Sequence, residues 1–205
     1  MPNSRLIYVV LLHSPMVDRA GKEVTTAVTN LDIHDIARSC KTYGITKYFI
    51  VNPEVEQERM VRMILDHWKT EVSWIHHPSR AQALELVRFT RSFEEAFNEA
   101  SLEGNGPVGR PFVVMPDAKD LEGAWSYREL REKLQKAELP GDENGRLRPL
   151  MIVFGTGWGI SPKFYDRVDR PLKPLRCSSQ AKYNHLSVRA AAAVVLDRVF
   201  GDHEN

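Results

Sequence analysis

The chain has 205 residues, 42% hydrophobic and 27% charged, with a formal net charge of +1, which is the make-up of a globular protein large enough for one sizeable α/β domain. So even a charge balance gives no long-range field for a polyanion, and a nucleic-acid partner would need a local basic face or a second subunit. The two cysteines, Cys40 and Cys177, fit no zinc or thioredoxin spacing, and no apolar run approaches the roughly 20 residues that a membrane-spanning helix needs.

Residues 6–12, LIYVVLL, form a continuous apolar run of the kind buried in a parallel sheet. The run ends at His13 with no small-residue cleavage site, so it reads as a strand rather than a signal peptide and places the chain in the cytoplasm. A turn at VDRAGKE leads to TNLDIHDIARSCKTYGI, whose apolar residues recur at helical spacing after an N-cap at Thr29 or Asn30, with Gly44 as the stop. KYFIV (47–51) is the next strand, and residues 53–69 the next helix, with Pro53 at its start. EVSWIH is expected as a short strand, HPSR as a solvated turn and AQALELVRF as a helix.

Ser92 with Glu95 three residues on has the capping-box pattern and starts the helix SFEEAFNEA. A Gly/Pro loop precedes the strand FVVM (112–115), SYRELREKL (126–134) is a charged helix, and a second polar loop feeds LMIVF (150–154). The last third holds RPLKPLR and then an alanine-rich helix capped by Ser187. Strands alternating with helices predict one domain, 1–205, with a mainly parallel sheet covered on both faces.

Three segments carry the chemistry. In open parallel sheets ligands bind at the carboxyl ends of strands, and IVFGTGWGIS lies at such an end. Gly155, Gly157 and Gly159 allow a ligand close to the backbone, and Ser161-Pro162 opens a helix beyond them. The spacing is one residue short of a dinucleotide fingerprint, and no Walker lysine follows. The second segment is the polar cluster Tyr183, Asn184, His185 and Ser187 ahead of four alanines, where Asn184 and Ser187 also serve as plain caps. The third places Asp35 and Arg38 at i, i+3 on one helix, a spacing equally suited to an intrahelical ion pair. The histidines show no i, i+4 pairing, which argues against a zinc enzyme.

In this order the three segments resemble the motifs of the SPOUT class, the α/β-knot RNA methyltransferases typified by SpoU and TrmD enzymes. The likeness is greatest to a branch with a TAVTNLDIHDIAR start and a YNHLSVR end, sometimes attached to TrmD-like enzymes. The resemblance implies a homodimer, a C-terminal trefoil knot, and S-adenosylmethionine held by Phe154, Gly155, Thr156, Gly157 and Gly159. Leu172 and Leu175, with Tyr183, Asn184, His185, Leu186, Ser187 and Val188, would wall the adenine. It also implies Arg38, Asn30 and Asp35 on the substrate side, acting on tRNA or rRNA. The sequence departs from the SpoU pattern: Asp32 and His34 stand where its second Asn and its Gly fall, and the glycine loop lacks the usual Glu.

Methyl transfer needs donor and acceptor aligned and a proton removed from the acceptor. Arg38 would stabilise an alkoxide, while Asp35, Asp32, His34 or His185 would serve a base nitrogen. The best basic cluster is Arg128, Arg131, Lys133 and Lys136 with Arg146 and Arg148, though interleaved glutamates make it a mixed surface. No separate RNA-binding domain is visible, so a partner protein is one way to reach RNA. Two other readings stay open: a non-catalytic S-adenosylmethionine-binding module that accompanies a tRNA-modifying enzyme, and a nucleotide-binding protein.

Overall fold

The computed structural model describes residues 5–102, 109–141, 147–177 and 185–202. A six-stranded sheet forms its centre, built from β1 (Ile7–Leu12), β4 (Lys47–Val51), β5 (Val87–Thr90), β6 (Phe112–Pro116), β7 (Leu150–Gly155) and β8 (Arg170–Leu172). The order is β5-β4-β1-β7-β6-β8, and every pairing is parallel. Around it lie α1 (Asn30–Thr42), α2 (Val55–Trp68), α3 (Glu71–His76), α4 (Pro78–Leu84), α5 (Phe93–Ser101), α6 (Tyr127–Gln135) and α7 (Val188–Phe200). A two-stranded ribbon, β2 (Met16–Val17) and β3 (Glu23–Val24), leaves the end of β1.

The continuous apolar runs are explained by burial on both faces. Alternate residues of β1 serve two cores: Val9 and Leu11 pack in one with α1 and α7, and Tyr8, Val10 and Leu12 in the other with α5. Helix starts follow their caps. The Thr29 side chain accepts from the Asp32 amide, Ser126 from Glu129 and Ser187 from Ala190.

Three sequence expectations need correction. EVSWIH is not a strand but α3, because Thr70 accepts from the Ser73 amide and Ser73 Oγ donates to the His67 carbonyl, closing the turn locally. HPSR is not a turn: His76 ends α3, and His77-Pro78 opens α4. AQALELVRF splits, the helix stopping at Leu84 and Val87–Thr90 pairing beside β4 as the edge strand. Ser161-Pro162 does open a helix, of 3-10 type, over Pro162–Arg167.

The chain runs from β1 outward through β4 to β5, then crosses to β6 and β7 on the other side of β1. The reversal point lies between β1 and β7, where Leu12 pairs with Gly155. This is where a parallel sheet opens a crevice beyond its strand ends.

Candidate functional site

At that crevice the loop after β7 is clasped on two sides by the chain leaving β1. The Val17 amide donates to the Gly159 carbonyl at 2.9 Å, and the Ser161 amide to the Pro15 carbonyl at 3.0 Å. Opposite, Thr26 Oγ1 meets Thr156 Oγ1 at 2.5 Å, and Thr156 Oγ1 reaches the Leu12 carbonyl at 3.3 Å. Gly157 has φ +59°, and a Cβ there would sit 3.2 Å from Thr26 Cγ2. A methyl on Gly155 would run into the Ile160 side chain. The bareness of this loop is thus required twice over, by backbone conformation and by the clasp. Among the described residues the Gly157 and Trp158 amides meet no backbone acceptor. Trp158 is exposed, with the Arg19 guanidinium 5.9 Å from its ring.

Behind the clasp is a polar cluster. His13, the residue after β1, is fully buried; its Nδ1 lies 3.0 Å from Thr26 Oγ1, and its Nε2 has no partner among the described residues. Burial pushes the His13 imidazole down to about 4, against the opposing pull of the Asp32 carboxylate. Asn52, at the end of β4, donates to the Thr26 carbonyl at 3.0 Å.

The second segment meets the third through Arg189. Its guanidinium lies 3.7 Å from Asp32 Oδ1 and 3.8 Å from Asp35 Oδ2. The alternative of an Asp35–Arg38 ion pair is not what forms; Asp35 pairs across to α7. Asp32 is buried, and its Oδ2 accepts from the Thr29 amide and hydroxyl at 3.1 and 2.6 Å. That carboxylate is committed to capping α1 and leaves no free base. Arg38 and Asp35 are exposed and line a concavity of about 370 Å³ with Ser39, Thr42, Tyr43 and Ala193. Asn30 is exposed in the first turn of α1. Among the described residues, no hydrogen bond or ion pair within one chain joins Arg38 to the glycine loop.

Of the residues expected to hold the cofactor, Gly155, Thr156, Gly157 and Gly159 lie in the clasped loop. Phe154 and Leu172 are buried in the core, so only their backbone faces outward groups. Leu175 is half-buried, Ser187 caps α7, and His185 and Leu186 are exposed just before it, with Val188 packed on the core. Tyr183 and Asn184 lie outside the described residues. His13, Thr26 and Asn52 were not singled out from sequence. The one available signal was position, since His13 and Asn52 each follow a buried strand.

Part of the expected basic cluster is engaged in holding the fold, while Lys136 is exposed. Arg131 donates to the carbonyls of Asp197, Val199 and Gly201. Arg148 is buried against Asp169, Lys133 lies over the Trp125 ring, and Arg128 pairs with Glu132. Arg146 lies outside the described residues. Among the described residues no group of three His, Cys, Asp or Glu side chains is placed to hold a metal ion, and no helix is long and apolar enough to cross a membrane.

The profile of a family described as SAM-dependent RNA methyltransferase matches residues 6–201. The chain is 36% identical over 198 residues to a protein of Oleidesulfovibrio alaskensis named tRNA (guanine-N(1)-)-methyltransferase, covering 97% of this chain and 43% of that relative. It thus spans less than half of that relative's length. Identity is 34% over 194 residues with an uncharacterized protein of Aquifex aeolicus, covering 95% of this chain and 88% of the other. Among solved structures it is similar to the TrmH/SpoU tRNA modifying enzyme of A. aeolicus, with a TM-score of 0.53 and 12% identity over 96% of this chain and 74% of that one. At that identity the likeness concerns the fold alone.

Proposed function

Because the chain belongs to the family of S-adenosylmethionine-dependent RNA methyltransferases, we propose that it moves a methyl group from that cofactor to an RNA, tRNA or rRNA, as one methyltransferase unit over 1–205. The observation that carries this reading is the glycine loop held open at the sheet's reversal point, with Thr26, just ahead of α1, bound to it and α1 bound to α7 through Arg189. The loop's bare backbone and unpaired amides fit the polar edge of a nucleoside. In our reading the backbone of 172–175 and 183–188 walls the adenine, and the C-terminal segment passes through the preceding loop as a knot.

The bound cofactor supplies an electrophilic methyl on sulfur. The protein aligns the acceptor with it and manages one proton. In our reading Arg38, exposed and without a carboxylate partner among the described residues, stabilises negative charge growing on the acceptor. Asp35, exposed and held only at 3.8 Å by Arg189, is the carboxylate left to take a proton. Asn30 presents its amide at the start of the same helix. The methylated atom is not carried over from the tRNA (guanine-N(1)-)-methyltransferase relative, since that name describes a chain more than twice as long. The α1–α7 face, with Ala193 beside Arg38, suits a second copy of the chain and a cytoplasmic homodimer; a partner protein for RNA is a further element of the proposal.

The test is calorimetric titration with S-adenosylmethionine and S-adenosylhomocysteine, followed by transfer of labelled methyl to bulk tRNA and rRNA. Micromolar binding is expected, reduced at least tenfold by Gly157→Val, because the branched side chain meets both a positive φ and Thr26. A folded protein that binds neither compound removes the methyltransferase reading.

A further inference from the structure

An RNA that reaches Arg38 must lie along a neighbouring face, and in the basic stretch most evident in the sequence Arg131, Arg148, Lys133 and Arg128 are taken up by capping, burial, a ring contact and a local pair. A different face keeps its charge. Trp68, at the end of α2, is half-buried and ringed by imidazoles, with centroids at 5.5 Å for His34, 5.6 Å for His67 and 6.1 Å for His77. The Arg80 guanidinium of α4 lies 5.1 Å from the Trp68 ring. His34 stands on α1 between two positive charges: burial first, then Arg80, lower its basicity, Asp35 raises it and Arg38 lowers it again. Its Nδ1 is buried with no partner among the described residues.

Neither Arg38 nor Arg80 has a carboxylate partner among the described residues, and the exposed Arg59 of the adjoining α2 has none either. Residues 72–84, which span most of α3 and all of α4, contain no Asp or Glu. The Trp68 ring fixes the Arg80 fork before any ligand arrives, so less side-chain entropy is lost on binding. A fixed, unneutralised guanidinium beside N–H-bearing imidazoles is complementary to phosphodiester oxygens. From this cluster α1 leads directly to Arg38 and Asp35.

We infer that the face formed by α1 and α4, with His34, Trp68, His77 and Arg80 at its centre, is the docking surface for the substrate RNA backbone, and that it leads the strand to Arg38. This rests on the methyltransferase reading above and adds to it the path of the substrate.

The experiment measures binding of fluorescein-labelled bulk tRNA by anisotropy over a series of salt concentrations. It uses the full chain and its Arg80→Glu, Arg80→Lys and His77→Ala variants, each also titrated with S-adenosylmethionine and sedimented. Arg80→Glu should raise the RNA Kd at least tenfold and reduce the salt slope by about one, with cofactor affinity and sedimentation unchanged. His77→Ala should raise it about two- to fivefold, and Arg80→Lys, which keeps the charge, should stay within about threefold of wild type. Equal RNA binding by wild type and Arg80→Glu overturns the surface alone and leaves the methyltransferase reading intact. Wild type that takes the cofactor but no RNA overturns the RNA reading, and this surface with it. A shift of Arg80→Glu to half the wild-type mass would assign the face to a second copy of the chain and also overturn the proposal.

Discussion

At the scale of single residues, His13 is a side chain whose protonation differs between the folded and unfolded chain in the range just below neutral pH. Unfolded, its imidazole takes up a proton near its ordinary 6.5; folded, burial holds that uptake down to about 4. Between these values the unfolded state binds more protons, so stability is full above pH 6.5 and is lost as the pH falls towards 4. From pH 7 to pH 5 this one group should remove about 2 kcal/mol, a drop of roughly 4–8 °C in melting temperature for a chain of this size. His13→Asn, which keeps a partner for Thr26, should show a correspondingly smaller drop. If its thermal curve falls as far as that of the wild type, the acid sensitivity lies elsewhere. The glycine loop was legible from sequence because three spaced glycines after a buried strand leave few alternatives. The residues that clasp it were not, because Thr26 and Thr156 are 130 positions apart and nothing local marks either.

At the scale of elements, α7 depends on α6 for its end. Arg131 reaches the carbonyls of Asp197, Val199 and Gly201 at 3.3, 3.2 and 2.6 Å, satisfying acceptors that a helix terminus leaves open. Arg131→Ala should cost about 2 kcal/mol, since hydrogen bonds from a charged donor are among the stronger ones. Hydrogen exchange should report the loss as faster exchange confined to the last turn of α7; uniform exchange across the helix would contradict the capping role. The same residue shows why a charged helix is hard to interpret from sequence. Its spacing suggests a solvated or phosphate-facing side, but its geometry makes it a cap. Elements with strong local signals were readable: the apolar runs of β1, β4 and β7, and the caps Thr29, Ser92, Ser126 and Ser187. α3 and β5 were not. A six-residue helix closed by Thr70 and Ser73 gives too short a period to detect, and the edge strand Val87–Thr90 follows α4 with only two residues between.

For the whole molecule, the parallel sheet and its covering helices were legible from the alternation of elements, while the position of the α1–α7 face required the structure. Ala193 lies there with Arg38, Thr42 and Tyr43, in a concavity lined largely by small and polar groups. If two copies meet on this face, Ala193→Glu should convert a dimer to a monomer in analytical ultracentrifugation while leaving the circular dichroism spectrum intact. A dimer that persists in this variant puts the interface on another side. The clasp is also ordered in time. Thr26 waits for Thr156, and Asp32 for Arg189, so the clasp closes only once β7 and its loop have been made, and the tie between α1 and α7 only once the start of α7 has left the ribosome. On the reading proposed above, a chain that stops just after β8 keeps its whole sheet but lacks the 183–188 wall of the adenine site. Under that proposal, binding of the small molecule serves as a completion check on synthesis, because the stabilisation it adds by mass action is available only to chains that carry the start of α7.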